Sequence, residues 1–507
     1  MSRTRGTAVG SPQTKGAAPS GDTPDGRAPR PAAPPRRGLG GRVALAAAAI
    51  LSAATAHAGV KETVDAVLQD PYFRKVDVGI QIVRLGDKPG AGETLYERNP
   101  DTPLIPASNL KLVTTAAVLS GLGRDFAFRT SLVSKAGVVA LVGDGDPALG
   151  DAELLRGTGE SSTTMFDAWA KALADRGLKK IDRVLHDASV FDRTFTHPDW
   201  PENQLQKRYV AGVAGLNFNA NCLDFYLKPG AGGQVVTFVQ DPPARYGTVA
   251  NRCVSGKENA VWLSREIGTE SIVLRGETDG PNAEPISVTV HNPPALAATV
   301  LHDALRRGGI EITDAAPGDV ALPRPFDDWQ VLAVHETPLA QVLWRANKDS
   351  MNVYAEAFCK RLGAQVSGQP GSWANGTAAV GAYLQSIGVP ANQFTIVDGC
   401  GLARGNRLAP AALIRVLECE ALGENADVYL GSLSVAGTDG TLKARFPRGG
   451  EQVIGKSGFI DGVSSLTGFV NDSGGRRVAF SILFNGIDKG TNARAKAFQE
   501  QIVRAIK

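Results

Sequence analysis

Three short groups of residues in this chain have the types and spacing to do chemistry together. Ser108-Asn109-Leu110-Lys111 sets a hydroxyl three positions before an amine. Ser350-Met351-Asn352 sets a hydroxyl two positions before an amide, and Lys456-Ser457-Gly458 joins a cation, a hydroxyl and a residue with no side chain. Each pattern (S-x-x-K, S-x-N, K-[ST]-G) occurs once in the 507 residues. A serine hydroxyl is a poor nucleophile and needs a base within hydrogen-bond reach. On a helix, residues i and i+3 share a face, so Lys111 would lie beside Ser108. Pro106-Ala107 suits a helix N-terminus, whose free N–H groups and positive dipole end favour a developing oxyanion. A lysine works as a base only when its pKa is lowered, by burial or by a second cation, and Lys456 can be that cation. Ser350 can relay a proton to a leaving amine, and Asn352 can orient Lys111 and donate to a substrate amide. Lys456 and Ser457 can bind a substrate carboxylate, and Gly458 lets a substrate backbone come close. The chemistry this implies is acyl transfer through Ser108. Taken singly, each group has a plainer reading: Ser108 and Ser350 as helix caps, Lys111 on a solvated face, Lys456 as an edge-strand charge. The plainer reading then needs three coincidences in one chain.

The elements that must position these residues follow from periodicity. Residues 61–68 read as a short helix, 76–83 as a strand, and 93–97 as its return after the turn Asp87-Lys88-Pro89-Gly90. Leu110, Val113, Thr114, Ala117 and Val118 recur at helical spacing as far as Gly121-Leu122-Gly123. From Asp151 to Pro323 the pattern changes to short alternating runs between Gly-rich turns, with one helical stretch at 296–307. That middle reads as one or two inserted β-rich domains. After Pro323 helices are expected at 339–346, 352–362, 378–387 and 409–422, strands at 465–470 and 477–484, and a closing helix at 492–507. The organisation expected is a leader over 1–58, a catalytic domain from 59–150 and 324–507, and an insertion over 151–323.

Residues 1–42 are rich in Pro, Gly, Ala and Arg with no hydrophobic period, which reads as disorder. Arg36, Arg37 and Arg42 then precede an apolar run, Val43 to Ala56, and Ala56-His57-Ala58 supplies the small residues of a signal-peptidase site. The run is shorter than the roughly 20 residues a bilayer requires, so cleavage is expected rather than a transmembrane anchor, giving an exported, periplasmic protein, either free or loosely membrane-associated. Without 1–58 the chain has 46 basic and 49 acidic residues, and nothing supports nucleic-acid binding. An exported chain permits disulfides, and Cys222 with Cys253 is the best candidate pair; the alternative is that all five cysteines are small reduced core residues. There is no C-x-x-C and no H-E-x-x-H, so neither a zinc site nor metal hydrolysis has support.

The ordered trio is a known signature of penicillin-binding proteins and serine β-lactamases. The chain resembles the class C low-molecular-mass penicillin-binding proteins, of the penicillin-binding-protein-4 type. The resemblance is carried by residues 106–112, by Gly143-Asp144-Gly145-Asp146-Pro147, by Leu216-Asn217-Phe218-Asn219-Ala220-Asn221, by Asp398-Gly399-Cys400-Gly401-Leu402 and by residues 435–442. The long stretch between Ser108 and Ser350 separates this class from β-lactamases. The resemblance implies an α/β fold: a serine β-lactamase/transpeptidase-like domain, an antiparallel sheet flanked by helices, with long inserted β-rich domains. It implies acylation of Ser108 by the penultimate D-Ala of peptidoglycan stem peptides, covalent inhibition by β-lactams, Phe459 N–H joining Ser108 N–H in the oxyanion hole, and no cofactor. Asp146 is expected either to meet the cross-linking amine of the stem or to form an Asx turn before Pro147. Cys400 stands where the family has Ser, and Ser457 where Thr is commoner. The competing readings are a β-lactamase or esterase with the same chemistry, and an idle wall- or β-lactam-binding module.

Overall fold

The computed structural model describes residues 59–447 and 452–506. The leader and signal-peptide expectations over 1–58 lie outside the described residues. Among those described, no helix is long and apolar enough to cross a membrane.

The sheet that carries the site has six strands, ordered Ser434–Val435, Ile454–Ile460, Val463–Asn471, Arg477–Asn485, Asp77–Arg84 and Glu93–Arg98. Every neighbouring pair is antiparallel. Side chains alternate across a strand, so one strand can serve two cores. Phe480, Ile482 and Phe484 face a layer built from Val64 and Leu68 of the helix Val60–Leu68 and from Phe498 and Ile502 of the helix Asn492–Arg504. Ala479 and Leu483 face the opposite layer, with Leu110 and Val113 of the helix Leu110–Leu122 and Leu413 of the helix Pro410–Leu422. Burial on both faces explains why Arg477–Asn485 is an almost unbroken apolar run.

The helix Leu110–Leu122 is covered on all sides, since every residue from Leu110 to Leu119 is buried. Helices Leu339–Asn347, Asn352–Ser367 and Trp373–Ser386 pack around it. A helix apolar all round belongs in a core. Gly123, with φ of +86°, ends it in the backbone region glycine favours.

The expected domain seam at 150/151 cuts through a second sheet. Ala127–Lys135 and Val138–Val142, expected with the catalytic part, form a hairpin through Ala136-Gly137, both with positive φ. Val138–Val142 then pairs in parallel with Arg183–Asp187, and Ala127–Lys135 pairs with Gln330–Pro338. With Gly318–Asp319 paired in parallel to Arg183–Asp187, the five strands bridge what reads in sequence as two domains, because their partners come from both sides of the seam. The middle segment is also less purely β than expected. A helix at Thr164–Asp175 packs Phe166, Ala170 and Leu173 with Leu301 and Leu305 of the helix Pro293–Arg307. Two three-stranded sheets complete it, 222–228 with 237–241 and 286–289, and 248–255 with 260–265 and 271–278.

The suggested Cys222–Cys253 disulfide is not formed: all five cysteines are free. Cys222 and Cys253 are buried on strands of different sheets, where each behaves as a small core residue.

Candidate active site

Ser108 lies in a 3-10 turn, Ala107–Asn109, that runs directly into the helix Leu110–Leu122. Ala107 has φ of +47°, an uncommon value for a residue with a Cβ. Two contacts hold the turn. Ser465 Oγ donates to Pro106 O at 2.7 Å. The strand Ile454–Ile460 also packs so closely that a Cβ on Gly458 would stand 2.9 Å from both Ser108 N and Pro106 O. Gly458 therefore lets this strand, rather than only a ligand, approach Ser108. Phe459, the next residue along that strand, lines the same cavity as Ser108.

Lys111 is fully buried, not on a solvated face. Its Nζ donates to Ser108 Oγ at 3.2 Å, Asn352 Oδ1 at 2.6 Å and Cys400 O at 2.8 Å. Three donors meet three uncharged acceptors, and burial lowers the amine's pKa. Lys456 is fully buried too, and burial, then the nearby Lys111 charge, drive its pKa well below the ordinary lysine value. Its Nζ donates to Ser350 Oγ at 2.9 Å and Ser457 O at 2.7 Å.

Ser350 sits between two helices with φ of +59°, again in the left-handed region. The strain is braced from behind. Met351 N donates to Arg345 O at 3.0 Å, and Arg345 also binds the Asp349 carboxylate. Arg345 is held in turn by Asp151, through bonds of 2.8, 2.9 and 3.1 Å, and Tyr354 Oη donates to Asp151 at 2.6 Å. Residues 434–441 close over the same turn, with Thr441 N and Ser434 Oγ donating to Lys348 O. Asn352 has one amide hydrogen on Tyr209 O at 2.6 Å, so only its second hydrogen is left for a substrate.

A cavity of about 710 Å³ opens over Ser108, lined also by Ser350, Asn352, Tyr209 and Phe459. Ser457 is half-buried on the strand behind, and neither it nor Gly458 lines the cavity. Seven of the nine sequence candidates thus meet by direct contact or as cavity lining, and Gly458 joins them through Ser108 N. Asp146 does not. It is 2% exposed and outside the cavity. Its Oδ1 accepts from Ala148 N at 2.8 Å, an Asx turn across Pro147, and its Oδ2 accepts from Thr337 Oγ1 at 2.5 Å. Burial pushes its carboxyl up to about 6. The contact with a substrate amine is therefore corrected to the turn. Asn217 Nδ2 donates to Asp146 O at 3.1 Å, so the two segments 143–147 and 216–221 are one packed structural unit.

Several residues at the site carry no motif. Tyr209 and Asp199 line the cavity from segments remote in sequence, with no spacing that points to them, and Arg404 lines it from the end of the family-like segment that begins at Asp398. Glu356 is different, because it lies one turn after Asn352 on one helix face and the i, i+4 relation was readable.

The fold and this site define the class. The model of the D-Ala-D-Ala carboxypeptidase 3 (S13) family matches residues 60–506, and the chain belongs to that family. It is a serine-type D-alanyl-D-alanine carboxypeptidase, a hydrolase. It is 31% identical over 459 residues to a D-alanyl-D-alanine carboxypeptidase of Actinomadura sp. (strain R39), covering 84% of this chain and 81% of that one. It is 29% identical over 436 residues to the D-alanyl-D-alanine carboxypeptidase DacB of Haemophilus influenzae, covering 82% and 88%. The crystal structure of penicillin-binding protein 4 from Haemophilus influenzae superposes with a TM-score of 0.69 at 26% identity, over 87% of this chain and 97% of that one. The α/β fold with inserted sheets agrees with that expectation.

Proposed function

We propose that Ser108 is the acylated nucleophile and Lys111 its general base, in an exported enzyme that trims or opens peptidoglycan stem peptides. The observation that carries the reading is the Lys111 amine, buried against three uncharged acceptors and 3.2 Å from Ser108 Oγ. A neutral Lys111 takes the Ser108 proton as Oγ attacks the penultimate D-Ala carbonyl. Ser108 N–H and Phe459 N–H receive the oxyanion. Ser350, hydrogen-bonded to Lys456, passes a proton to the leaving amine, and terminal D-Ala or a cross-linked D-amino acid departs. Water then releases the acyl group by the reverse proton path. Lys456, whose amine reaches the cavity wall at Ser350 Oγ, supplies the positive charge that attracts the substrate carboxylate, with Ser457 beside it on the same strand, and Asn352 orients both Lys111 and the peptide. Asp199 and Arg404 line the same cavity, which gives it an anion and a cation for a stem side chain bearing an amine and a carboxylate.

β-Lactams are taken to acylate the same serine. A Haemophilus influenzae penicillin-binding protein 4 structure that shares this fold, at 25% identity and a TM-score of 0.65, is complexed with a novel β-lactam. Incubation of the enzyme with a stem pentapeptide tests the reading. Release of D-Ala by the native chain and none by Ser108→Ala is expected. Equal release by both would overturn it.

A further inference from the structure

Lys111 owes two of its three partners to one helix. Asn352 supplies the first directly. The second, Cys400 O, is reached through Glu356, one turn further along. Glu356 is fully buried, and its two oxygens accept from Gly399 N at 3.0 Å, Cys400 N at 2.7 Å and Trp373 Nε1 at 2.7 Å. Asp398 clamps the far side of the same loop, accepting from Gly401 N at 2.7 Å, Ala403 N at 2.6 Å and Asn406 Nδ2 at 2.9 Å. With its N–H groups held by carboxylates, the loop turns its carbonyls to the nucleophile helix. Gly399 O accepts from Thr114 Oγ1 at 2.7 Å, and Cys400 O accepts from Lys111 Nζ at 2.8 Å. Glu356, Asp398 and Cys400 bring possible metal-ligand atoms within 4.8 Å of one another. The carboxylate oxygens there already accept from N–H groups of the loop and of Trp373, so they are committed to holding the loop rather than a cation.

We propose that Glu356 is a positioning residue of the acyl-transfer reaction, aiming the Cys400 carbonyl at Lys111 and holding that amine in line with Ser108. The inference rests on the reading of Ser108 and Lys111 given above. It carries an electrostatic consequence. Lys111 faces Lys456 from the sheet, Cys400 and Asp398 from the loop, and Glu356 from its own helix neighbour. Glu356 itself faces Asp398, Cys400, Cys359 and Lys360. Burial pushes Glu356 up to about 7, so above that pH it is an anion that opposes deprotonation of Lys111. Glu356→Gln removes the charge and replaces one acceptor with a donor facing N–H groups.

The test is the rate of benzylpenicillin acylation of the full chain, followed by intact mass from about pH 5 to about pH 10. For E356Q the account expects the acid limb to move down by about half a pH unit or more, and the plateau to fall about tenfold. E356D keeps the charge but withdraws the carboxylate by one methylene, so its limb should stay near the native position while its plateau falls. An E356Q profile that overlays the native one after scaling would overturn the proposal, as would an E356D plateau equal to the native one if E356Q does not fold. A native chain that forms no Ser108 adduct would instead sink the underlying reading, independently of Glu356.

Discussion

Gly458→Ala is the sharpest way to separate a packing role for this glycine from a purely substrate-facing one. The new Cβ would stand 2.9 Å from Ser108 N, 2.9 Å from Pro106 O and 2.3 Å from Ser465 Oγ. The serine hydroxyl can rotate away, although it would then lose its bond to Pro106 O. The two backbone atoms cannot. Ordinary contact begins near 3.4 Å, so the nucleophile turn and the strand must separate by about half an ångström. Overpacking of this kind costs about 1–3 kcal/mol. The larger effect falls on catalysis, because a displacement on the scale of 1 Å in a reacting group lowers rates by about 100-fold. Gly431→Ala is the control, since its added Cβ meets nothing within 4 Å. The assay is the second-order rate of acylation by benzylpenicillin, with thermal unfolding of the same samples. Gly458→Ala should unfold at a lower temperature and, for half of that displacement, acylate about tenfold more slowly, while Gly431→Ala does neither. Native acylation by Gly458→Ala would refute the reasoning that this strand positions the nucleophile.

Other consequences can be checked directly. Burial lowers the Lys111 pKa, so the neutral base appears below the ordinary lysine value of 10.5. The acylation rate should rise with pH along a limb centred below that value, and a limb centred at or above it would contradict the assignment. Lys111→Ala should lose about as much acylation as Ser108→Ala, because a nucleophile and its base act as one unit. Arg345→Met leaves Asp151 buried without its cation and should lower stability in urea by about 3–5 kcal/mol. The same substitution should slow acylation by loosening the strained Ser350 turn. The denatured chain should titrate five free thiols without reductant, which a Cys222–Cys253 bridge would reduce to three.

Much of the catalytic layer was legible in the sequence because its elements have simple periods and clear stops. The helix ending at Gly123 and the strands 463–471 and 477–485 fall where periodicity puts them. Helix Thr164–Asp175 could have been read too, since Phe166, Ala170 and Leu173 recur at helical spacing, but the short alternating runs after it drew the reading to strands with a single helix at 296–307. The seam was not legible. Sheet partners such as Val138–Val142 and Arg183–Asp187 are chosen by tertiary pairing, which leaves no mark in either segment alone. At the site, Ser108, Lys111, Ser350, Asn352 and Lys456 announced themselves by residue type and spacing. The Cys400 carbonyl could not, because a backbone acceptor has no residue identity to read. Asp146 was left open between a substrate contact and an Asx turn, and its oxygens accept from Ala148 N and Thr337 Oγ1, which favours the turn.

The central claim is that Ser108 becomes covalently acylated with help from Lys111. Intact mass spectrometry of the chain with and without benzylpenicillin, beside Ser108→Ala, tests it most directly. The account predicts one adduct per chain, mapped to Ser108 and absent from the variant. A well-folded native chain that gains no mass, or a Ser108→Ala chain that gains the same mass, would contradict it.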